Sequence, residues 1–204
     1  TGIDTAFIVD DNLIGNKKAI KEVLRELVAW QKKKGYPFIL FTEASIDLAD
    51  DAELMELMTE ANFIAVFIGI ESPNEESLRE TKKFQNVRAG GTLLEKVHRI
   101  QDQGMEVWCG MIMGFDNDDT SIFDRQIEFI QQARISFSMR GMLWAIQKTP
   151  LYDRLLEPGR LDLDDSPASG TKVIPLRLNR RQPRDAALPF PERLLCPVSF
   201  LPST

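Results

Sequence analysis

Phe63-Ile64-Ala65-Val66-Phe67-Ile68-Gly69-Ile70 is apolar at every position, and Glu71-Ser72-Pro73-Asn74 follows it directly. The run is too short for an ordinary helix and does not alternate with polar residues. Unbroken apolar runs of this length are the mark of strands buried on both faces, as in parallel sheets. Similar runs occur on either side: Ala6 to Val9, Phe38 to Phe41, Val107 to Met113 and Phe137 to Ala145. Strands are therefore expected to start near residues 6, 38, 63, 106 and 137.

Helical faces fill the intervals. Ile20, Val23, Leu24 and Leu27 recur at the spacing of one helical side, as do Leu54, Leu57 and Ala61, then Leu93, Val97 and Ile100, then Ile122, Phe123, Ile127 and Ile130. Lys32, Lys33 and Lys34 before Gly35 and Pro37 read as a helix end, with the lysines at the negative end of the helix dipole. Asp50 with Glu53, Ser72-Pro73-Asn74-Glu75, and Thr92 with Glu95 read as helix starts. Alternating strand and helix predicts an α/β fold. A barrel and an open doubly wound sheet both satisfy the pattern.

Charge and composition narrow the function classes. The 204 residues are 43% hydrophobic and 27% charged, which suits a globular domain with a real core. A net charge of −6 argues against a dedicated nucleic-acid binder. No apolar stretch is long enough to span a bilayer. With only Cys109 and Cys196, a reducing cytoplasm is the expected location. Cys109 lies inside a strand and reads as core; His98, the sole histidine, reads as an exposed helix residue. No Ser/His/Asp triad, histidine pair for zinc or Gly-rich phosphate loop is present.

Active sites of parallel α/β folds gather at the carboxyl ends of the strands. Those ends carry Asp10-Asp11-Asn12, then Thr42-Glu43, then Glu71-Ser72, then Gly114-Phe115-Asp116, then Gln147-Lys148-Thr149. Each carboxylate also has a local use: Asp10 to Asn12 suit a turn, Glu71 suits a helix start, and Asp116 to Asp119 suit a solvated helix entry. Convergence of several on one rim favours a binding role. Gly110 and Gly114 interrupt a bulky strand, where a ligand or another backbone approaches closely. Asp10, Glu43 and Glu71 would also serve a metal-dependent barrel lyase or hydrolase; a non-catalytic remnant is the remaining alternative.

The motifs FIVDDN (7–12), GIESPNEESL (69–78), GMIMGFDND (110–118) and KTPLYDRL (148–155), in this order, resemble the radical S-adenosylmethionine proteins. The likeness runs over roughly residues 5 to 180. It is strongest to the branch with an N-terminal cobalamin-binding domain, and within it to members whose uncharacterised C-terminal domain accompanies hopanoid methylases. The resemblance implies a partial (β/α)6, TIM-like barrel missing its first βα unit. Residues 1–148 would form the core barrel and 149–180 the start of an accessory domain; 181–204 would be an irregular tail. The tail holds many of the prolines and arginines and reads as if the frame had shifted.

The resemblance also implies roles. Asp10, Asp11 and Asn12 match the motif that contacts the methionine amino group, with Glu43 on the neighbouring strand end. Glu71, beside Ser72, matches the position that holds the ribose hydroxyls. Gly110, Ile112 and Gly114 match the strand beside adenine, and Ala145 and Ile146 match the last strand, whose backbone also approaches adenine. In the family a CxxxCxxC loop holds a 4Fe–4S cluster, which reduces the sulfonium and releases a 5′-deoxyadenosyl radical. That loop has no counterpart in these residues. The expectation is therefore a truncated, inactive piece of a cobalamin-dependent methyltransferase or related C–C bond-forming enzyme. Its parent would act on a small-molecule or lipid substrate with a reductant protein such as flavodoxin or ferredoxin.

Overall fold

The computed structural model describes residues 2–80, 83, 86, 90–163 and 172–178. The five expected strands are all present. They are β1 (Thr5–Ile8), β2 (Ile39–Ala44), β3 (Phe63–Glu71), β4 (Glu106–Met113) and β5 (Phe137–Met142). All pair in parallel, in chain order. Between and after them lie α1 (Lys17–Lys34), a 3-10 helix (Ile46–Asp50), α2 (Ala52–Glu60), α3 (Glu75–Glu80), α4 (Leu93–Asp102), α5 (Ile122–Gln132) and α6 (Pro150–Leu156). None of these helices is long and apolar enough to cross a membrane.

The sheet curls into a half-barrel. Phe41 on β2 and Trp108 on β4 are separated by a whole strand, yet their rings meet at 5.5 Å. In a flat sheet those strands would stand about 9.6 Å apart, so the face that carries both rings is concave. Leu40, Ala44, Val66, Ile68, Val107 and Cys109 form the opposite face and are buried with Leu24, Leu54, Met58 and Ile100 of the helices. Burying both the apolar strand face and the helix stripes in one layer is the main source of stability for such a fold.

Local signals place most helix ends. Gly35 closes α1 in the left-handed conformation (φ 72°), and its N–H reaches the Gln31 and Lys32 carbonyls. Thr92 and Glu95 form a reciprocal capping box on α4. Three expectations are corrected. The α2 cap is Asp51, whose carboxylate accepts from Leu54 N, because Asp50 is drawn off by the buried Lys96 at 2.9 Å and by Arg99 at 3.3 Å. At α3 the Ser72 hydroxyl accepts from Asn74 N and Asn74 Oδ1 from Glu76 N. The helix therefore begins at Glu75, and Pro73 precedes it.

The third correction is that β5 stops at Met142. One further ladder bond runs from Leu143 N to Met113 O at 2.7 Å. Beyond it β4 turns away at Gly114, so Ala145 and Ile146 lie past the strand. Ala145 instead joins a second apolar cluster with Phe115, Leu143, Leu155, Leu161 and Val173. Cys196 and the expected irregular tail over 181–204 lie outside the described residues.

Candidate cofactor-binding site

The loop after β1 is stitched to the loop after β2. Asp10 Oδ1 accepts from Asn12 N at 2.9 Å, which forms the tight turn. Asn12 Oδ1 accepts from Ser45 N and Oγ at 3.0 and 3.3 Å, and Leu13 N donates to Glu43 O at 3.1 Å. Asp11 is left facing the mouth of the half-barrel, and Glu43 projects from the concave side of β2.

At β3 the register slips: Gly69 pairs with Gly110, but Glu71 pairs with Met111. Glu71 takes the left-handed conformation at φ 66°, uncommon for a residue with a side chain. The slip turns its carboxylate back over Gly69, where a Cβ would stand 2.8 Å from Oε1. A side chain at position 69 would push the Glu71 carboxylate out of this place. Lys83 Nζ meets the same oxygen at 2.9 Å. Asn86 Nδ2 donates to the Gly69 and Ile70 carbonyls at 3.1 and 2.9 Å, while its Oδ1 is buried without a partner.

A cavity of about 320 Å³ opens here, lined by Asp11, Asn12, Glu43, Ala44, Ser45, Phe67, Gly69, Glu71, Lys83 and Asn86. Four of the residues expected from the sequence meet in it: Asp11, Asn12, Glu43 and Glu71. The others lie elsewhere. Asp10 is engaged in its turn, Ser72 is buried in the α3 entry, and Ala145 is buried while Ile146 is exposed. Gly110 borders the cavity through Gly69 but is overlain by the Phe67 ring, 3.3 Å from where its Cβ would be. Ile112 packs against the second apolar cluster. Gly114 closes β4 at φ 103°.

The sequence reading missed Ser45, Phe67, Gly69, Lys83 and Asn86 as cavity residues. Lys83 and Asn86 carry no local signal, since they reach the site only when the chain beyond α3 folds back on β3. Asp118, expected in a solvated helix entry, is instead buried at 1% exposure. Burial pushes its carboxyl above the usual range, against the pull of hydrogen bonds from Ser77, Gly114 and Phe115.

Chemically, the cavity sets three carboxylates against one ammonium. Such a lining suits a ligand that carries an amino group or vicinal hydroxyls, with room for one acidic group at Lys83. It does not suit an iron–sulfur cluster. Among the described residues no three His, Cys, Asp or Glu converge to hold a metal ion. Cys109 is enclosed in the core, where burial pushes its thiol up to about 12.

Known proteins place this geometry in context. No family model matches the chain. It is 48% identical over 162 residues to an uncharacterised methyltransferase of Synechocystis, covering 79% of this chain and 30% of that one. It is 40% identical over 170 residues to the hopanoid C-2 methylase of Rhodopseudomonas palustris, covering 83% and 32%. The chain thus spans about a third of the length of the curated relatives it matches. In fold it resembles the radical S-adenosylmethionine methyltransferase TsrM of Kitasatospora setae, solved with cobalamin and a 4Fe–4S cluster bound. The TM-score is 0.62 at 16% identity, over 77% of this chain and 29% of that one. Kinship in sequence and likeness in fold agree: the chain is related in sequence to methyltransferases and shares the fold of a radical S-adenosylmethionine methyltransferase.

Proposed function

We propose that these residues form the S-adenosylmethionine-binding wall of a cobalamin-dependent radical methyltransferase. The observation that carries this reading is the meeting of Asp11, Asn12, Glu43 and Glu71 in one cavity at the carboxyl edge of the half-barrel. Asp11 and Glu43 supply negative charge for the methionine ammonium, with the Asn12 turn fixing Asp11. Glu71 accepts hydrogen bonds from the ribose hydroxyls. Asp10 acts through the turn it holds. Gly110, Ile112 and Gly114 on β4 supply the adenine side of the site, and the backbone of Ala145 and Ile146 approaches it from the loop after β5.

A 4Fe–4S cluster supplies the electron that cleaves the sulfonium when bound. Its three thiolates do not fit these residues, which hold two cysteines in all. They belong to other parts of the parent enzyme, as does the cobalamin domain. On this reading the parent methylates a small-molecule or lipid substrate at an unactivated carbon, with electrons from a flavodoxin- or ferredoxin-like donor; the names of its relatives support the methyl transfer.

The test uses the full-length protein, reconstituted anaerobically and supplied with cobalamin, reductant and S-adenosylmethionine. Consumption of S-adenosylmethionine that requires both the cluster and cobalamin is expected. A protein with its cluster formed that neither binds nor consumes S-adenosylmethionine overturns the reading.

A further inference from the structure

Two turns frame the proposed ligand wall: the one that closes β3 at Glu71 and the one that closes β4 at Gly114. A single buried side chain joins them. Asp118 Oδ2 accepts from Gly114 N at 2.9 Å and from Phe115 N at 3.1 Å. Its Oδ1 accepts from Ser77 Oγ at 2.9 Å. Ser77 stands on α3, the helix that follows the Glu71–Ser72 turn. Asp118 N completes the β4 turn by donating to Phe115 O at 3.0 Å.

We infer that Asp118 is a positioning residue for the S-adenosylmethionine site: through its carboxylate it locks the Gly114 turn to α3 and so fixes the spacing between Gly114 and Glu71. This rests on the function proposed above. Gly114 takes a conformation, φ 103°, that few other residues adopt, so its peptide is free to move unless something holds it. The two backbone donors converge on one oxygen of a side chain that is 1% exposed. Removing the carboxylate frees the β4 turn and breaks its tie to α3. Small displacements of a positioned group are costly for a bound ligand.

An amide at this position would keep the frame. In Asp118→Asn the side-chain oxygen still accepts from Gly114 N and Phe115 N, and its amide donates to the Ser77 hydroxyl. Asp118→Ala leaves all three donors without that partner.

The experiment measures the dissociation constant of S-adenosylmethionine and the melting temperature for the full-length protein. The variants are Asp118→Ala, Asp118→Asn, Ser77→Ala, Glu71→Ala and Gln31→Leu. Gln31, in the last turn of α1, bonds to carbonyls just before β2 and β3, at the end of the sheet opposite the cavity, and serves as the stability control. Asp118→Ala is expected to weaken binding at least about tenfold and Asp118→Asn by less than about threefold. Gln31→Leu should lower the melting temperature without touching affinity. If Asp118→Ala does not fold, Ser77→Ala, which removes only one bond, is expected to weaken binding about two- to tenfold. Unchanged affinity in every Asp118 and Ser77 variant that folds, while Glu71→Ala weakens binding, overturns the inference alone. Unchanged affinity in Glu71→Ala as well overturns the reading of the site.

Discussion

Lys83 Nζ stands 2.9 Å from Glu71 Oε1, and Glu71 itself sits at φ 66° where β3 slips register against β4. The pair ties the segment after α3 to the strand that carries the proposed ribose acceptor. Glu71 keeps only 13% side-chain exposure, so it meets a ligand already largely stripped of water. Charge-assisted hydrogen bonds are worth about 1.5–3 kcal/mol, or roughly 10- to 150-fold in affinity. Glu71→Ala in the full-length protein is expected to weaken S-adenosylmethionine binding by that factor in calorimetric titration. Unchanged affinity would leave Glu71 only the task of closing β3 with Lys83.

Cys109 should be inert in the native chain. Burial pushes its thiol from an ordinary value of 9.0 up to about 12. The folded state therefore keeps the proton longer than the unfolded state. The resulting stability is present below pH 9.0 and is lost as pH rises toward about 12. The shift corresponds to about 4 kcal/mol. Iodoacetamide at pH 8 should spare Cys109 in the native protein and label it after denaturation, read by peptide mass mapping. Cys109→Ala should unfold at higher pH than wild type. Rapid native labelling would contradict the burial.

Gln31 is a polar residue inside the core. It is 0% exposed, and its amide Nε2 donates to Phe38 O at 2.8 Å and Ala61 O at 3.0 Å. It thereby satisfies carbonyls at the entries to β2 and β3. Gln31→Leu preserves much of the volume but takes this donor from the buried Ala61 carbonyl and leaves the Phe38 carbonyl to Asn62 Nδ2 at 2.7 Å. A loss of about 1–3 kcal/mol in urea denaturation is expected. A loss below about 0.5 kcal/mol would mean that both carbonyls find other donors.

The capping box on α4 is reciprocal: Thr92 Oγ1 accepts from Glu95 N at 3.2 Å, and Glu95 Oε2 accepts from Thr92 N at 2.7 Å. Thr92→Ala should cost about 0.5–2 kcal/mol, because the α4 entry loses one acceptor and the reason for Glu95 to fold back. Thr92→Ser should restore most of it. Equal stability of Thr92→Ala and wild type in chemical denaturation would remove the box from the stability of the helix.

Much of the fold is legible because its signals are local. The run from Phe63 to Ile70 reads as a strand from its own composition, and β3 occupies Phe63–Glu71. Gly35 and Thr92 act on atoms within a few residues of themselves, and both behave as expected. Asp50 and Asp51 show where this ends. Either carboxylate suits a cap, and the choice falls to Lys96 on a distant helix, which claims Asp50. The site divides in the same way. Asp11, Asn12, Glu43 and Glu71 were legible because strand ends in a parallel sheet share one rim. Lys83 and Asn86 were not, because each acts on a segment remote in the chain, and the tie from Asp118 to Ser77 is remote in the same way although its bonds to Gly114 and Phe115 are local.

By itself, the sequence determined that five apolar runs become strands, that helices separate them, and that acidic residues follow several strand ends. Apolar continuity, helical periodicity and cap chemistry are properties of short stretches and survive without their partners. Only the tertiary structure decided that the sheet curls so that Phe41 reaches Trp108, that the β3 register slips and throws Glu71 over Gly69, and that β5 ends where β4 turns away. Each of these depends on how two distant segments share hydrogen bonds and space. No window of the chain contains both partners of such a bond, so the contact that settles it exists only in the folded molecule.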